Sequence, residues 1–135
     1  MALIVLDSTV LIDFLRGHPA VRRVLSLRDT GDVPATTAIN VEEIVRGLRP
    51  NEHAAADQLF SALLVIEINR EIAQLAGAWR RDASALGITL AQADALIGAA
   101  AASRGAILAT GNPKDFAPVG YPLTGLIVDP WPVGH

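Results

Sequence analysis

Short apolar runs that read as strands punctuate the chain at residues 2–6, about 33–37, 63–68, 106–110 and 125–128. Between them, apolar positions fall at helical spacing. Val10, Leu11, Phe14 and Leu15 mark the buried face of a first helix, which Ser8 or Thr9 can cap and Gly17-His18-Pro19 stops. A short second helix is expected over roughly 20–28. Val41, Ile44, Val45 and Leu48 share the face of a third, opened by Thr37 or Asn40 and broken by Arg49-Pro50-Asn51. Residues 52–62 and 69–86 read as two more, the second ending at Gly87. Thr89-Leu90-Ala91-Gln92 has the pattern of a capping box opening a last helix that runs to about Ser103. The small residues Ala93, Gly98, Ala99, Ala100, Ala101 and Ala102 would let this helix lie close to the sheet. The tail from Pro130 is predicted to be irregular. Alternating strands and helices predict a parallel sheet covered by helices on both faces.

Composition narrows the class. At 135 residues, 51% hydrophobic and 19% charged, the chain is long and apolar enough for a single folded domain over residues 1–135. It contains no Cys, which excludes disulfides and zinc–thiolate sites and permits a reducing compartment. His18, His53 and His135 stand apart, without metal-ligand spacing, and read as scattered surface residues. The opening Met1-Ala2-Leu3-Ile4-Val5 lacks the basic stretch of a signal peptide, and the small-residue run Ala95 to Ala102 is too short to span a bilayer. A soluble, cytoplasmic protein is expected. The net charge of −3 argues against a broadly basic nucleic-acid surface. It leaves nucleic acid open, because a bound divalent ion would neutralise a local cluster of acids.

Such a cluster is suggested by where the acids fall. Asp7 ends the apolar run Leu3-Ile4-Val5-Leu6, and in open α/β folds the carboxyl edge of the sheet is where ligands bind. Asp115 follows the strand-like Ala106-Ile107-Leu108-Ala109-Thr110, and Glu43 and Asp94 lie near helix starts. Each acid also has a structural reading. Asp7 is a good helix cap, though Ser8 and Thr9 make a third capping group redundant. Asp94, expected in the second turn of its helix among small apolar residues, would need a partner if buried. Glu43 could complete a capping box with Asn40, and the helical pattern does not choose between it and Glu42, although Gly47 would leave open space beside it. Asp115 could be a first-turn acid favoured by the helix dipole. A carboxylate cluster without Cys or paired His suggests a hard ion such as Mg2+ or Mn2+.

The segments Leu6-Asp7-Ser8-Thr9-Val10-Leu11-Ile12, Thr37 through Glu43-Ile44-Val45-Arg46-Gly47, Gln92-Ala93-Asp94-Ala95-Leu96-Ile97 and Leu108-Ala109-Thr110-Gly111-Asn112-Pro113-Lys114-Asp115-Phe116 occur in this order along nearly the whole length. In that arrangement the chain resembles a PIN-domain ribonuclease, specifically the VapC toxin of a bacterial type II toxin–antitoxin pair. No single segment is specific; all of them in register are. The resemblance implies a three-layer α/β/α domain with a parallel sheet of about five strands in the order 3-2-1-4-5. It selects Glu43 over Glu42, and implies that Asp7, Glu43, Asp94 and Asp115 are the acidic positions holding Mg2+ or Mn2+. Many relatives carry Asp where this chain has Asn112, so either that position or Asp115 corresponds to the fourth acid. Asn112 supplies no charge, and Asp115 is assigned. Thr9, Thr110 and Asn112 are then hydrogen-bonding groups around the acids. The resemblance further implies RNA as substrate, with a structured RNA such as tRNA the leading candidate, a cognate VapB-type antitoxin and a homodimer.

The mechanism so implied is metal-assisted hydrolysis of RNA phosphodiesters. Arg16, Arg22, Arg23, Arg46, Arg49, Arg80, Arg81, Arg104 and Lys114 are candidate phosphate contacts, while residues 10–15 and 44–63 hold candidate apolar surface for the antitoxin. With aromatics at 4%, an exposed base-stacking platform is not expected. A haloacid-dehalogenase-like phosphatase would need a second acid where Thr9 stands, and a receiver domain an acceptor Asp where the third strand-like run ends at Ile68. A catalytically inactive PIN fold that binds RNA or its antitoxin is the remaining alternative.

Overall fold

The computed structural model, which describes residues 2–17, 20–116, 123 and 125–134, places the first apolar run at the centre of the fold. This strand, β1 (Leu3–Leu6), is flanked by β2 (Val33–Thr37) and β4 (Ile107–Thr110), with β3 (Leu64–Ile66) and β5 (Ile127–Pro130) at the edges. Every pairing is parallel and the order is β3-β2-β1-β4-β5, as the resemblance implies. Chain direction across the sheet reverses between β1 and β4. A crevice therefore opens at their carboxyl ends.

The helices are α1 (Ser8–Leu15), α2 (Ala20–Thr30), α3 (Ala38–Gly47), α4 (His53–Ala62), α5 (Arg70–Ala85) and α6 (Gln92–Ser103), with 3-10 turns at Pro50–Glu52 and Pro113–Phe116. Successive strand residues point to opposite faces, so β1 feeds two cores. Ile4 and Leu6 pack with Val10, Leu11, Val24, Leu27, Ile44 and Leu59, from α1 to α4. Val5 packs with Ile72, Ala76 and Trp79 of α5 and Ala95 and Ala99 of α6. The result is three layers. The small residues of α6 allow close packing, at Gly98 against α5 and the residue before β5 and not against the sheet itself: a Cβ on Gly98 would lie 3.3 Å from Leu126 and 3.4 Å from Trp79. Among the described residues, no helix is long and apolar enough to cross a membrane.

Several local expectations are corrected. The N-cap position of α1 is Asp7, not Ser8 or Thr9, yet its carboxylate makes no capping hydrogen bond. Thr37, not Asn40, caps α3; Asn40 is its capping-box partner three residues on, so Glu43 has no part in the cap. The Thr89–Gln92 capping box does not form. Leu90 is buried and its carbonyl accepts from Arg80 Nε at 3.0 Å, which holds this stretch outside the helix, and α6 starts after Ala91 without a side-chain cap. Asp94 consequently lies in the first turn. The last strand begins two residues later than its apolar run, because pairing with β4 matches Ile107 to Ile127 and carries on to Pro130. Proline is tolerated there because β5 is an edge strand. Beyond it, residues 131–134 are irregular, as expected. The Gly17-His18-Pro19 stop is described only at Gly17, whose φ of +70° suits a residue without a Cβ. His18 and His135 lie outside the described residues.

Candidate active site

Asp7 leaves β1 at the crevice, and its amide continues the ladder by donating to Ala109 O at 2.9 Å. The residue is only 6% exposed. Isolated, a buried carboxylate is strongly disfavoured, and here it accepts hydrogen bonds at both oxygens. Thr110 Oγ1 donates to Oδ2 at 2.7 Å, Thr9 Oγ1 donates to the same atom at 3.2 Å, and Asn40 Nδ2 donates to Oδ1 at 3.2 Å. Thr110 and Thr9 also organise the following loop, accepting from the amides of Asn112 (3.0 Å) and Gly111 (2.8 Å). The two hydroxyls expected around the acids thus join the strand that carries Asp7 to the loop that carries Asp115.

Glu43 is half-buried and accepts from Ser8 Oγ at 2.8 Å, whereas Glu42 is exposed. Gly47 leaves open space, as expected. Asp115, exposed in the Pro113–Phe116 turn, accepts from Asn112 Nδ2 at 2.7 Å. Asp94 enters from the opposite helical layer. Burial pushes its carboxyl from 3.8 up to about 6, with further upward pressure from the charges of Asp115, Asp7 and Glu43. The fold therefore brings all of the acids singled out in the sequence within electrostatic reach of one another.

Among the described residues none of these acids pairs with Lys or Arg; the ion pairs are Arg16–Glu52, Arg23–Asp129 and Arg81–Asp82. Crowded, unneutralised carboxylates suit a hard divalent cation. No three of the described His, Asp and Glu side chains already form a metal cage. Mg2+ does not require one, since it keeps several waters and binds through one or two carboxylates plus substrate phosphates. The donor set fits such an ion.

Asn40 and Ser8 are the polar site residues that sequence reasoning treated only as helix openers. The available signal was the Thr37-to-Asn40 spacing, which is that of a capping box with Asn in place of the usual Glu or Gln. Next to the acids, and touching them through Thr9, lies a cleft of about 820 Å³ bordered by Ile12, Arg16, Arg49, Glu52 and Val133. Asp7, Glu43, Asp94 and Asp115 do not line it, whereas Asp13 and Glu52 do. Of the other candidate phosphate contacts, Arg23 lies over the Trp131 ring at 4.3 Å and pairs with Asp129, and Arg80 is held by Leu90 O.

Residues 4–120 match the family model for the PIN domain. Ribonuclease VapC19 of Mycobacterium tuberculosis is 31% identical over 112 residues, covering 82% of this chain and 90% of that protein. Among solved structures, DNA-bound VapBC from Salmonella typhimurium superposes with a TM-score of 0.81 at 23% identity, covering 97% of this chain and 99% of that one, a likeness of fold. A toxin–antitoxin complex from Klebsiella pneumoniae gives 0.73 at 26% identity, covering 98% and 100%. With the sheet order, the crevice and its acids in place, the chain belongs to the PIN-domain family, in its VapC ribonuclease branch.

Proposed function

We propose that this chain, acting as a single domain over residues 1–135, is the divalent-metal-dependent endoribonuclease toxin of a VapBC-type pair. The observation that carries the reading is the convergence of Asp7, Glu43, Asp94 and Asp115 without a Lys or Arg partner among the described residues; the Asp94 carboxyl is raised first by burial and then by the charges of the other three. Asp7 and Asp94 would hold the principal Mg2+ or Mn2+, and Glu43 and Asp115 would complete the site or a second ion. When bound, the ion polarises a phosphoryl oxygen and lowers the pKa of an attacking water.

The residues of the chain do the positioning. Thr110 and Thr9 hold Asp7 in one orientation, Ser8 turns Glu43, and Asn112 anchors Asp115. Arg49, and Arg16 once it exchanges its 3.4 Å pairing with Glu52, border the adjoining cleft and would meet phosphates flanking the scissile bond. With few aromatics for base stacking, backbone contacts of this kind support a structured RNA such as tRNA, read by shape. A VapB-type antitoxin is the expected partner, because the comparison complexes pair toxin with antitoxin. The apolar groove of about 290 Å³ between Phe14, Leu15, Ala55, Leu59 and Ala62 offers it a surface within the stretches marked in the sequence. A cytoplasmic homodimer completes the proposal.

The test is incubation of purified, antitoxin-free protein with total cellular RNA in Mg2+, in Mn2+ and in chelator, beside Asp7→Asn. Discrete metal-dependent products that disappear in the variant are expected, and sequencing their ends identifies the target. Equal cleavage by the variant assigns the activity to a contaminant. Silence across many RNAs from well-folded protein points instead to an inactive module that binds RNA or antitoxin.

A further inference from the structure

Asn40 is wholly buried beside the acids, and both ends of its amide are engaged. Oδ1 accepts from Thr37 Oγ1 at 2.8 Å and from the Thr37 amide at 3.3 Å. Nδ2 donates to Asp7 Oδ1 at 3.2 Å and to Ser8 Oγ at 2.9 Å. The orientation is forced: a backbone N–H only donates, so the carbonyl oxygen must face Thr37 and the two N–H groups must face Asp7 and Ser8. Ser8 has one hydroxyl proton. Having accepted from Asn40, it donates that proton to Glu43 Oε1 at 2.8 Å. A single directed chain of hydrogen bonds thus runs from Thr37 through Asn40 to Asp7 and, by way of Ser8, to Glu43.

We propose that Asn40 is a positioning residue of the hydrolytic site, fixing Asp7 directly and Glu43 through Ser8. A capping role alone would not need this. The cap of α3 is complete once Thr37 Oγ1 and Asn40 Oδ1 are paired with the opposite amides, and the Nδ2 group adds nothing to it. That group instead spans from the third helix to the first and brings two acids from separate elements under one control. Groups that orient metal-ligating side chains typically contribute about tenfold to a hundredfold in affinity or activity. The inference rests on the metal-binding reading above.

The experiment measures Mn2+ binding to metal-free protein by electron paramagnetic resonance, for wild type, Glu43→Gln, Ser8→Ala, Asn40→Ala and the Ser8→Ala/Asn40→Ala pair. RNA cleavage is followed in parallel. Ser8→Ala cuts only the middle link and leaves the α3 cap whole, so it keeps the test intact should Asn40→Ala fold poorly. Ser8→Ala and Asn40→Ala are each expected to bind Mn2+ about tenfold more weakly, with Glu43→Gln weakened as well. The double variant should be no weaker than Asn40→Ala alone, with kcat reduced and KM for RNA retained. Wild-type Mn2+ affinity in Ser8→Ala and Asn40→Ala, with Glu43→Gln weakened, overturns the positioning role and leaves the metal site standing. Additive losses in the double variant overturn the route through Ser8. Unchanged affinity in Glu43→Gln removes Glu43 from the metal site and overturns the route through Ser8, whereas absence of Mn2+ binding by the wild type removes the metal reading and the inference with it.

Discussion

Replacing Asp94 by Asn tests the cost of burying its carboxylate among the other acids. The Asp94 carboxyl is raised from 3.8 to about 6. Between those values the folded chain keeps a proton that the unfolded chain has released, so stability falls as pH climbs through this window. A shift of about two units corresponds to about 3 kcal/mol. Asp94 is only half-buried, and solvent screening reduces the expected penalty to about 1 kcal/mol. Asn keeps the shape and removes the charge. Metal-free Asp94→Asn should therefore be more stable than wild type by about 1 kcal/mol at about pH 8, raising Tm by about 4 °C, and the two should converge near pH 4. Asp32 and Glu52, whose carboxyls are lowered mainly by the amides of Ala2 and Arg49, respond in the opposite sense but identically in both proteins, and cancel in the difference. Thermal melts across pH, with chelator and again with excess Mg2+, read the effect. Mg2+ should stabilise wild type more than the variant, reversing their order. A difference that is flat with pH, or a variant less stable than wild type at high pH without metal, would refute the reasoning.

Two further substitutions probe the architecture around Asp7. Thr110→Val removes the donor at 2.7 Å from Asp7 and the acceptor for the Asn112 amide; about 1–2 kcal/mol of stability should be lost together with cleavage activity, checked by urea unfolding and RNA digestion. An unchanged midpoint would show that Asp7 does not depend on that hydroxyl. Gly111→Ala would put a Cβ at 2.7 Å from both Val133 methyls and 3.3 Å from Thr9 Oγ1. It should destabilise by about 1–3 kcal/mol, with most of the loss recovered in Gly111→Ala/Val133→Ala, because the clash is with a side chain that can be trimmed. No recovery in the double variant would place the strain in the backbone instead.

Much of this was legible in the sequence because it depends on strong local signals. Strand-length apolar runs and helical spacing mark the alternation of elements, and Asp7 and Thr110 fall at strand ends where the carboxyl edge must be. What stayed hidden depends on tertiary competition. The helix start at Gln92 is set by burial of Leu90 and its bond to Arg80, contacts between distant segments that no four-residue capping pattern contains. The last strand takes its register from β4 rather than from its own hydrophobicity. Asn40 looked like a local cap, and its other amide edge acquires a purpose only when α1 and α3 meet. Residues alone left Glu43 and Glu42 equivalent. The side chain of Glu43 turns toward Ser8 while that of Glu42 stays in solvent, a distinction set by which face of α3 packs on the sheet.

The register Ile4↔Ile107 bears on how the protein is made. β1 leaves the ribosome ahead of β4 and cannot acquire that neighbour until roughly a hundred more residues have been added, several seconds later at about 5–20 residues per second. The carboxylates at 7, 43, 94 and 115 are dispersed along the nascent polypeptide until then, and their repulsion arises only when the sheet closes. A partial chain that lacks β4 therefore has no assembled acidic site, and the crowding arises only once residues through Asp115 have been added.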